Sequence, residues 1–294
     1  MTWPKITLIG VGLLGGSLGL AARERALARH IEGFVRRDSS VIECERLGVV
    51  HRATRNLAQA VENADLIVLC TPLAQMKGLA REMCGAIKPG AIITDVGSVK
   101  ASVVQELEPI FRRAKAHFIG SHPMAGSEKT GASAARSDLF VNAICVVTPS
   151  NRADSAAVLA VEELWRAVGG RPLQLDPEEH DEYVSRSSHL PHVVAAELAN
   201  YVLSPALPKE QALLCANGFR DTTRIASGSP EMWRDIAVAN AKNLTRVLGV
   251  FIEDLQEFQR ALENEDHKLI EEFFRTAKER RDNWQSQNAS PSPE

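Results

Sequence analysis

The chain has 294 residues, 45% hydrophobic and 24% charged, with a net charge of −3 at pH 7. That is enough for one large domain or two modest ones, with cores that need no disulfide or metal as staples. The near-neutral balance excludes binding to nucleic acid or an anionic membrane through bulk charge, and no apolar run approaches the roughly 18 residues of a membrane span.

Met1 to Lys5 leads straight into a strand-like Ile6–Ile9 run, without the layout of a signal peptide. The five cysteines, Cys44, Cys70, Cys84, Cys145 and Cys215, are scattered and form no C-x-x-C pair. They read as reduced thiols of a cytosolic protein. Ile31–Val35, Leu66–Cys70, Ala91–Thr94, His117–Ile119, Ala143–Thr148 and Pro172–Leu175 continue the strands. Amphipathic stretches such as Leu14–Ala28 and Ser102–Lys115 lie between them. This alternation predicts an α/β Rossmann domain with a mostly parallel sheet over residues 1–175.

Gly10-Val11-Gly12-Leu13-Leu14-Gly15 fits G-x-G-x-x-G between the first strand and a helix. In that setting it predicts a dinucleotide turn, with Gly10, Gly12, Leu13, Leu14 and Gly15 at the phosphates. A site for NAD usually carries an acid at the end of the second strand, where this chain has Arg36-Arg37-Asp38-Ser39. A guanidinium there suits the 2′-phosphate of NADP. We expect NADP over NAD, through Arg36 with Arg37 and Ser39; Asp38 swinging inward would serve NAD instead. Thr71 and Pro72, just after a strand, face the same cofactor cleft.

Near Asp176-Pro177 the pattern turns helical, with Asp176 as N-cap, Pro177 in the first turn and acids that suit the helix dipole. Residues 176–285 read as an all-α domain. Helices are expected from about Ser188, over Lys209–Ala216, from Pro230 to about Asn264, and over Asp266–Trp284. The stripe Trp233, Ala237, Asn240, Leu244, Val247, Phe251, Leu255, Phe258 and Leu262 marks the long one. A helix of roughly 50 Å exceeds what its own small domain can cover, so a homodimer built on the C-terminal helices is expected; a monomer with the helix lying across both domains is the alternative. Residues 286–294 read as a polar, disordered tail.

Two histidine motifs stand out, Ser121-His122-Pro123-Met124-Ala125-Gly126-Ser127-Glu128 and Ser188-His189-Leu190-Pro191-His192. Together with Gly10–Gly16, Asp95–Lys100, Thr223–Ala226 and Met232–Asp235, the chain resembles the prephenate/arogenate dehydrogenases of tyrosine biosynthesis, over nearly its whole length. The resemblance implies oxidative decarboxylation of prephenate to 4-hydroxyphenylpyruvate, or of arogenate to tyrosine. It implies His122 as the histidine that hydrogen-bonds the substrate hydroxyl and Ser98 as the serine sharing that contact. It implies His192 and Arg224 as substrate contacts, and Ser127 and Glu128 either as gate residues or as supports behind the contacts near the same pocket, with approach from the partner subunit left open.

Elementary chemistry agrees. A neutral imidazole suits acceptance of the hydroxyl proton as hydride departs, and an arginine fork suits a carboxylate. Other roles stay open: Ser98 as the N-cap of the next helix, Arg224 as a helix brace, His189 as a structural residue. His189 and His192 are spaced like a metal pair but lack a third ligand, so no metal is expected. A β-hydroxyacid dehydrogenase would need a G-x-x-x-K helix, absent from Ser188–Tyr201. A dinucleotide-sensing module without turnover is the non-enzyme alternative.

Overall fold

A computed structural model describes residues 2–127 and 129–288. In chain order the first part contains β1 (Trp3–Ile9), α1 (Leu13–Glu24), β2 (Ala28–Phe34), α2 (Asp38–Arg46), β3 (Arg52–Thr54), α3 (Leu57–Val61), β4 (Leu66–Leu69) and α4 (Leu73–Met83). It continues with β5 (Ile92–Asp95), α5 (Ala101–Arg113), β6 (His117–Pro123), β7 (Ile144–Thr148), α6 (Ser155–Ala167) and β8 (Arg171–Gln174). The strands form one sheet in the order β3-β2-β1-β4-β5-β6-β7-β8. The direction of winding reverses between β1 and β4, and a cleft opens there at the carboxyl ends of the strands.

The sheet is parallel except where β6 meets β7. Its middle strands are buried on both faces, as expected beneath two helical layers. Leu66 and Val68 enter one apolar core with Leu8, Leu18 and Trp165, while Ile67 and Leu69 enter the other with Ile93, Leu107 and Phe111.

β6 carries the site. Its first half pairs parallel to β5, Ile92 opposite His117 and Thr94 opposite Ile119. Its second half pairs antiparallel to β7, Gly120 opposite Thr148 and His122 opposite Val146. His122 therefore lies within the strand, which runs on past the expected His117–Ile119 to Pro123. Ladder hydrogen bonds hold its backbone.

The helical region starts as expected: the Asp176 side chain accepts from the Glu178 N–H at 2.9 Å and Pro177 opens α7 (Pro177–Val184). No break follows. A π-helical turn, Ser185–His189, joins α7 to α8 (Leu190–Val202). A π turn in a helix commonly marks a functional segment, because it re-aims the side chains after it. Next come α9 (Lys209–Leu213), α10 (Asn217–Thr223), a short 3₁₀ turn at Arg224–Ser227 and α11 (Pro230–Ala239). The helix expected over Lys209–Ala216 ends at Leu213. The long helix is two helices: Asn240, at φ −111 and ψ 27, separates α11 from α12 (Ala241–Glu263). α13 (His267–Asn288) runs past residue 286, where the polar tail was expected to begin. Residues 289–294 lie outside the described residues.

By contacts the chain forms two compact units, Met1–Asn243 and Leu244–Glu294. Within the second, Phe258 of α12 packs on Phe273 of α13 at 4.4 Å between ring centres and on Phe274 at 5.8 Å. Val250, Ile252, Leu255, Leu262, Leu269 and Phe274 remain exposed. Among the described residues no helix is long and apolar enough to cross a membrane.

Candidate active site

The glycine turn is built for a close-lying ligand. Gly10 ends β1 at φ +92, a left-handed conformation that side chains disfavour. A Cβ on Gly15 would sit 2.1 Å from the Gly10 carbonyl oxygen, so only glycine lets α1 start so near β1. Gly12 precedes α1 with no side-chain cap, and a Cβ there would project into open space. Leu13 and Leu14 form the first turn, half-buried. Across the cleft, Thr71 lies beside Gly10 and its buried Oγ1 has no hydrogen-bond partner, while Pro72 leads into α4. Uncapped N–H groups, an open approach and an unsatisfied hydroxyl fit the phosphates of a dinucleotide. Arg36, Arg37 and Ser39 are exposed beyond β2. Asp38 is held outward by Arg55 through two contacts of 3.1 and 2.8 Å.

At the ends of β5 and β6 a buried polar network replaces the apolar core. Lys100, fully buried, is paired with Asp95, and its Nζ also donates to the Ser121 carbonyl at 2.8 Å. Asp95 accepts from the N–H groups of Gly97 (2.8 Å) and Ser121 (3.0 Å). The Ser121 hydroxyl donates to the Asp95 carbonyl at 2.7 Å and accepts from the Trp165 indole at 3.1 Å. Removing one partner of so buried an ion pair costs about 3–5 kcal/mol. The strand ends are therefore stiffly held where His122 projects.

His122 is 8% exposed. Its Nδ1 lies 2.9 Å from Nε2 of His180, and Nδ1 of His180 lies 2.8 Å from Asp181 Oδ1. Asp181 also accepts from the backbone N–H groups of Lys100 and Ala101, at 2.7 and 2.9 Å, and so caps α5. Asn240 donates to the Asp181 carbonyl (2.8 Å) and contacts His189 Nδ1 (3.2 Å). His189 meets the Trp233 ring edge-on, and His192 stacks on that ring at 3.7 Å. His192 Nδ1 is bonded to the Ser188 carbonyl at 2.8 Å. The Arg224 charge reaches His192 and depresses its pKa. The helix break at Asn240 thus has a purpose: it puts an amide on the floor of the histidine cluster.

Burial is the main force on all four rings. It holds His122 well below the usual imidazole range, with His180, Lys100 and His189 opposing a further positive charge there. It lowers His180 against the favourable Asp181 hydrogen bond, and it pushes His189 down to about 4. The rings are neutral at physiological pH. The unfolded chain takes up these protons near pH 6.5, whereas the folded chain resists them, so stability falls as pH drops below about 6.5. For each of the three buried rings the slope is at most about 1.4 kcal/mol per pH unit. Urea unfolding at pH 7.5, 6.5 and 5.5 should show this loss, and an unchanged midpoint would contradict the buried neutral cluster.

The structure brings His122, His192, Arg224 and, through the His189 ring at its backbone, Ser98 into one neighbourhood. Ser98 is not the cap of α5, a role Asp181 fills. Ser127 is exposed, and its hydroxyl accepts from the Lys129 N–H at 3.2 Å. That contact does not join it to the histidine cluster. Glu128 lies outside the described residues. His180, Asp181 and Asn240 join the site without belonging to any of its sequence motifs. A signal existed: Pro177, His180, Asp181 and Val184 form one buried helical face, with two polar residues at core positions.

Comparison with known proteins places this arrangement. A family model described as the nucleotide-binding domain of prephenate dehydrogenase matches residues 18–174, and one described as its dimerization domain matches residues 176–279. The chain is 35% identical over 283 residues to a prephenate dehydrogenase of Bacillus subtilis, covering 94% of this chain and 75% of that one. It is 32% identical over 279 residues to a cyclohexadienyl dehydrogenase of Zymomonas mobilis, covering 94% of each. Among solved structures, the prephenate dehydrogenase of Aquifex aeolicus in complex with hydroxyphenyl propionate and NAD+ aligns with a TM-score of 0.90 at 28% identity, covering 96% of this chain and 99% of that one. A Synechocystis arogenate dehydrogenase aligns at 0.80 with 28% identity, covering 95% and 99%. A 3-hydroxyisobutyrate dehydrogenase of Salmonella typhimurium, 12% identical with a TM-score of 0.61 and coverage of 83% and 87%, shares the fold alone. Glycine turn, neutral histidine cluster and nearby arginine thus stand in a chain that belongs to the prephenate dehydrogenase family.

Proposed function

We propose that this chain catalyses the nicotinamide-dependent oxidative decarboxylation of prephenate to 4-hydroxyphenylpyruvate, with His122 as the proton acceptor. The observation that carries the reading is a neutral, buried imidazole fixed on β6 at the carboxyl edge of the sheet, in a histidine cluster whose His192 feels the Arg224 charge. Gly10, Gly12, Leu13, Leu14, Gly15, Thr71 and Pro72 hold the dinucleotide, which supplies the hydride acceptor. His122 takes the hydroxyl proton as that carbon is oxidised. The ring carboxylate then leaves as carbon dioxide, its bonding electrons complete the aromatic ring, and His122 returns the proton to the phenolate oxygen. Ser98 shares the hydroxyl contact. Arg224 and His192 grip the substrate side chain, and Ser127 serves as a gate residue. Aromatisation drives the step, so positioning contributes more than base strength. An absorbance assay of reduced cofactor, run in parallel with prephenate and arogenate, tests the reading; turnover of arogenate alone would move it to the arogenate branch.

The cofactor preference is for NADP. Two exposed guanidiniums stand where the ribose-binding acid is expected, and Asp38 is engaged by Arg55. kcat/KM should be higher with NADP, and Arg36→Ala should erase the difference. A clear preference of the native chain for NAD would refute it.

The working form is a homodimer assembled through the C-terminal helices. The apolar side chains exposed on α12 and α13 and the description of the matching family model support it. The functional division falls at residues 175/176, near the junction of the two family matches, with residues 1–175 binding the dinucleotide and 176–285 forming the substrate and dimerisation part. A cytosolic location completes the proposal, since five free thiols suit a reducing compartment. Sedimentation at micromolar concentration should give twice the chain mass; a monomer would remove the dimer.

A further inference from the structure

A neutral imidazole carries one hydrogen, and only the other nitrogen can act as a base. Which nitrogen of His122 is free follows from its neighbours. Asp181 Oδ1 accepts from the Lys100 N–H and Oδ2 from the Ala101 N–H, so the carboxylate is locked at the start of α5. It offers His180 only an acceptor, so His180 Nδ1, 2.8 Å away, carries the hydrogen. His180 is fully buried and neutral, which leaves its Nε2 with a lone pair. His122 Nδ1, 2.9 Å from that lone pair, is then the donor. The hydrogen of His122 is accounted for, and its Nε2 is bare.

We propose that Asp181 and His180 are positioning residues that fix His122 as its Nδ1–H tautomer and so present Nε2 as the accepting atom. The inference rests on the reading of His122 as proton acceptor and extends it to two residues that touch no substrate. When Nε2 takes the hydroxyl proton, the Nδ1–H bond to His180 becomes charge-assisted and strengthens. Asp181 then faces the new cation across one imidazole. The other polar groups around the relay face other partners: Lys100 is held by Asp95 and the Ser121 carbonyl, and Nδ1 of the neutral His189 by Asn240. Neither competes for His122 Nδ1. The logic is that of the carboxylate in a Ser-His-Asp triad, which sets the tautomer of its histidine without itself taking the proton.

The test is a ¹⁵N-histidine NMR spectrum of the full-length protein at pH 7.5, with His122 assigned by its loss in His122→Asn. The expected pattern is a pyrrole-type Nδ1 and a pyridine-type Nε2. In His180→Phe, which removes the acceptor, the His122 pattern should move toward Nε2–H. kcat should fall roughly 10- to 100-fold, as when an orienting partner of a working histidine is lost, with the substrate KM nearly unchanged. His180→Gln, whose amide oxygen can again accept from Nδ1–H, should restore the pattern and most of kcat. Should His180→Phe fail to fold, the native spectrum and His180→Gln still decide. A native His122 protonated at Nε2, or full kcat in a folded His180→Phe, would overturn the relay. An enzyme active on prephenate with the Nε2–H tautomer sinks the relay alone. The Nδ1–H tautomer without turnover of either substrate upholds the relay geometry and sinks the proposed function.

Discussion

His122→Asn is expected to lower kcat by roughly 10²- to 10⁴-fold, the usual contribution of a positioned general base, with a much smaller change in substrate KM. Asparagine is smaller than the imidazole and can still present an amide N–H toward His180, so the β6–β7 ladder and the buried network need not rearrange. What it lacks is a basic nitrogen where Nε2 stands. The loss should therefore appear in the chemical step and not in binding. Steady-state kinetics with prephenate, alongside a melting curve to show an intact fold, checks this. Near-native kcat in a folded variant would remove His122 from the reaction.

Arg224→Ala should act the other way, raising the prephenate KM by roughly 10- to 150-fold, the equivalent of the ~1.5–3 kcal/mol typical of a hydrogen bond to a charged group. Prephenate carries two carboxylates, and one must leave as carbon dioxide. A guanidinium that clamped the departing group would stabilise the ground state and slow the reaction. The proposal therefore places Arg224 on the side-chain carboxylate, which persists into the product. Its position favours that choice. It opens the 3₁₀ turn after α10, beside His192, whose pKa its charge helps to depress. Arg224→Lys should recover only part of the loss, since an ammonium lacks the planar fork. An unchanged KM in Arg224→Ala would exclude it from the binding site.

Much of the nucleotide-binding half was legible because its rules are local. Gly10 and Gly15 mark a turn that needs glycine, and the short apolar run Leu66–Cys70 fits a doubly covered strand. β3 escaped because Arg-Ala-Thr offers one apolar residue and is held by pairing with β2. The extent of β6 escaped because Gly120 and Pro123 read as turn residues, while β7 supplies the antiparallel partner that keeps the strand going. Asn240 sat in register on an apolar stripe, and nothing local announced that its side chain would be drawn to Asp181 and His189, far away in sequence. His180 and Asp181 were hidden for the same reason. Acids in the first turns of a helix are normally explained by its dipole, so their service to α5 and His122 became visible only with tertiary structure.

The most direct test of the central claim is a crystal structure of this chain with its dinucleotide and a hydroxyphenyl product analogue. The account predicts His122 Nε2 within hydrogen-bond distance of the ligand hydroxyl, with Arg224 on its carboxylate. A ligand whose hydroxyl meets some other side chain, with the His122 ring turned away from it, would contradict the account.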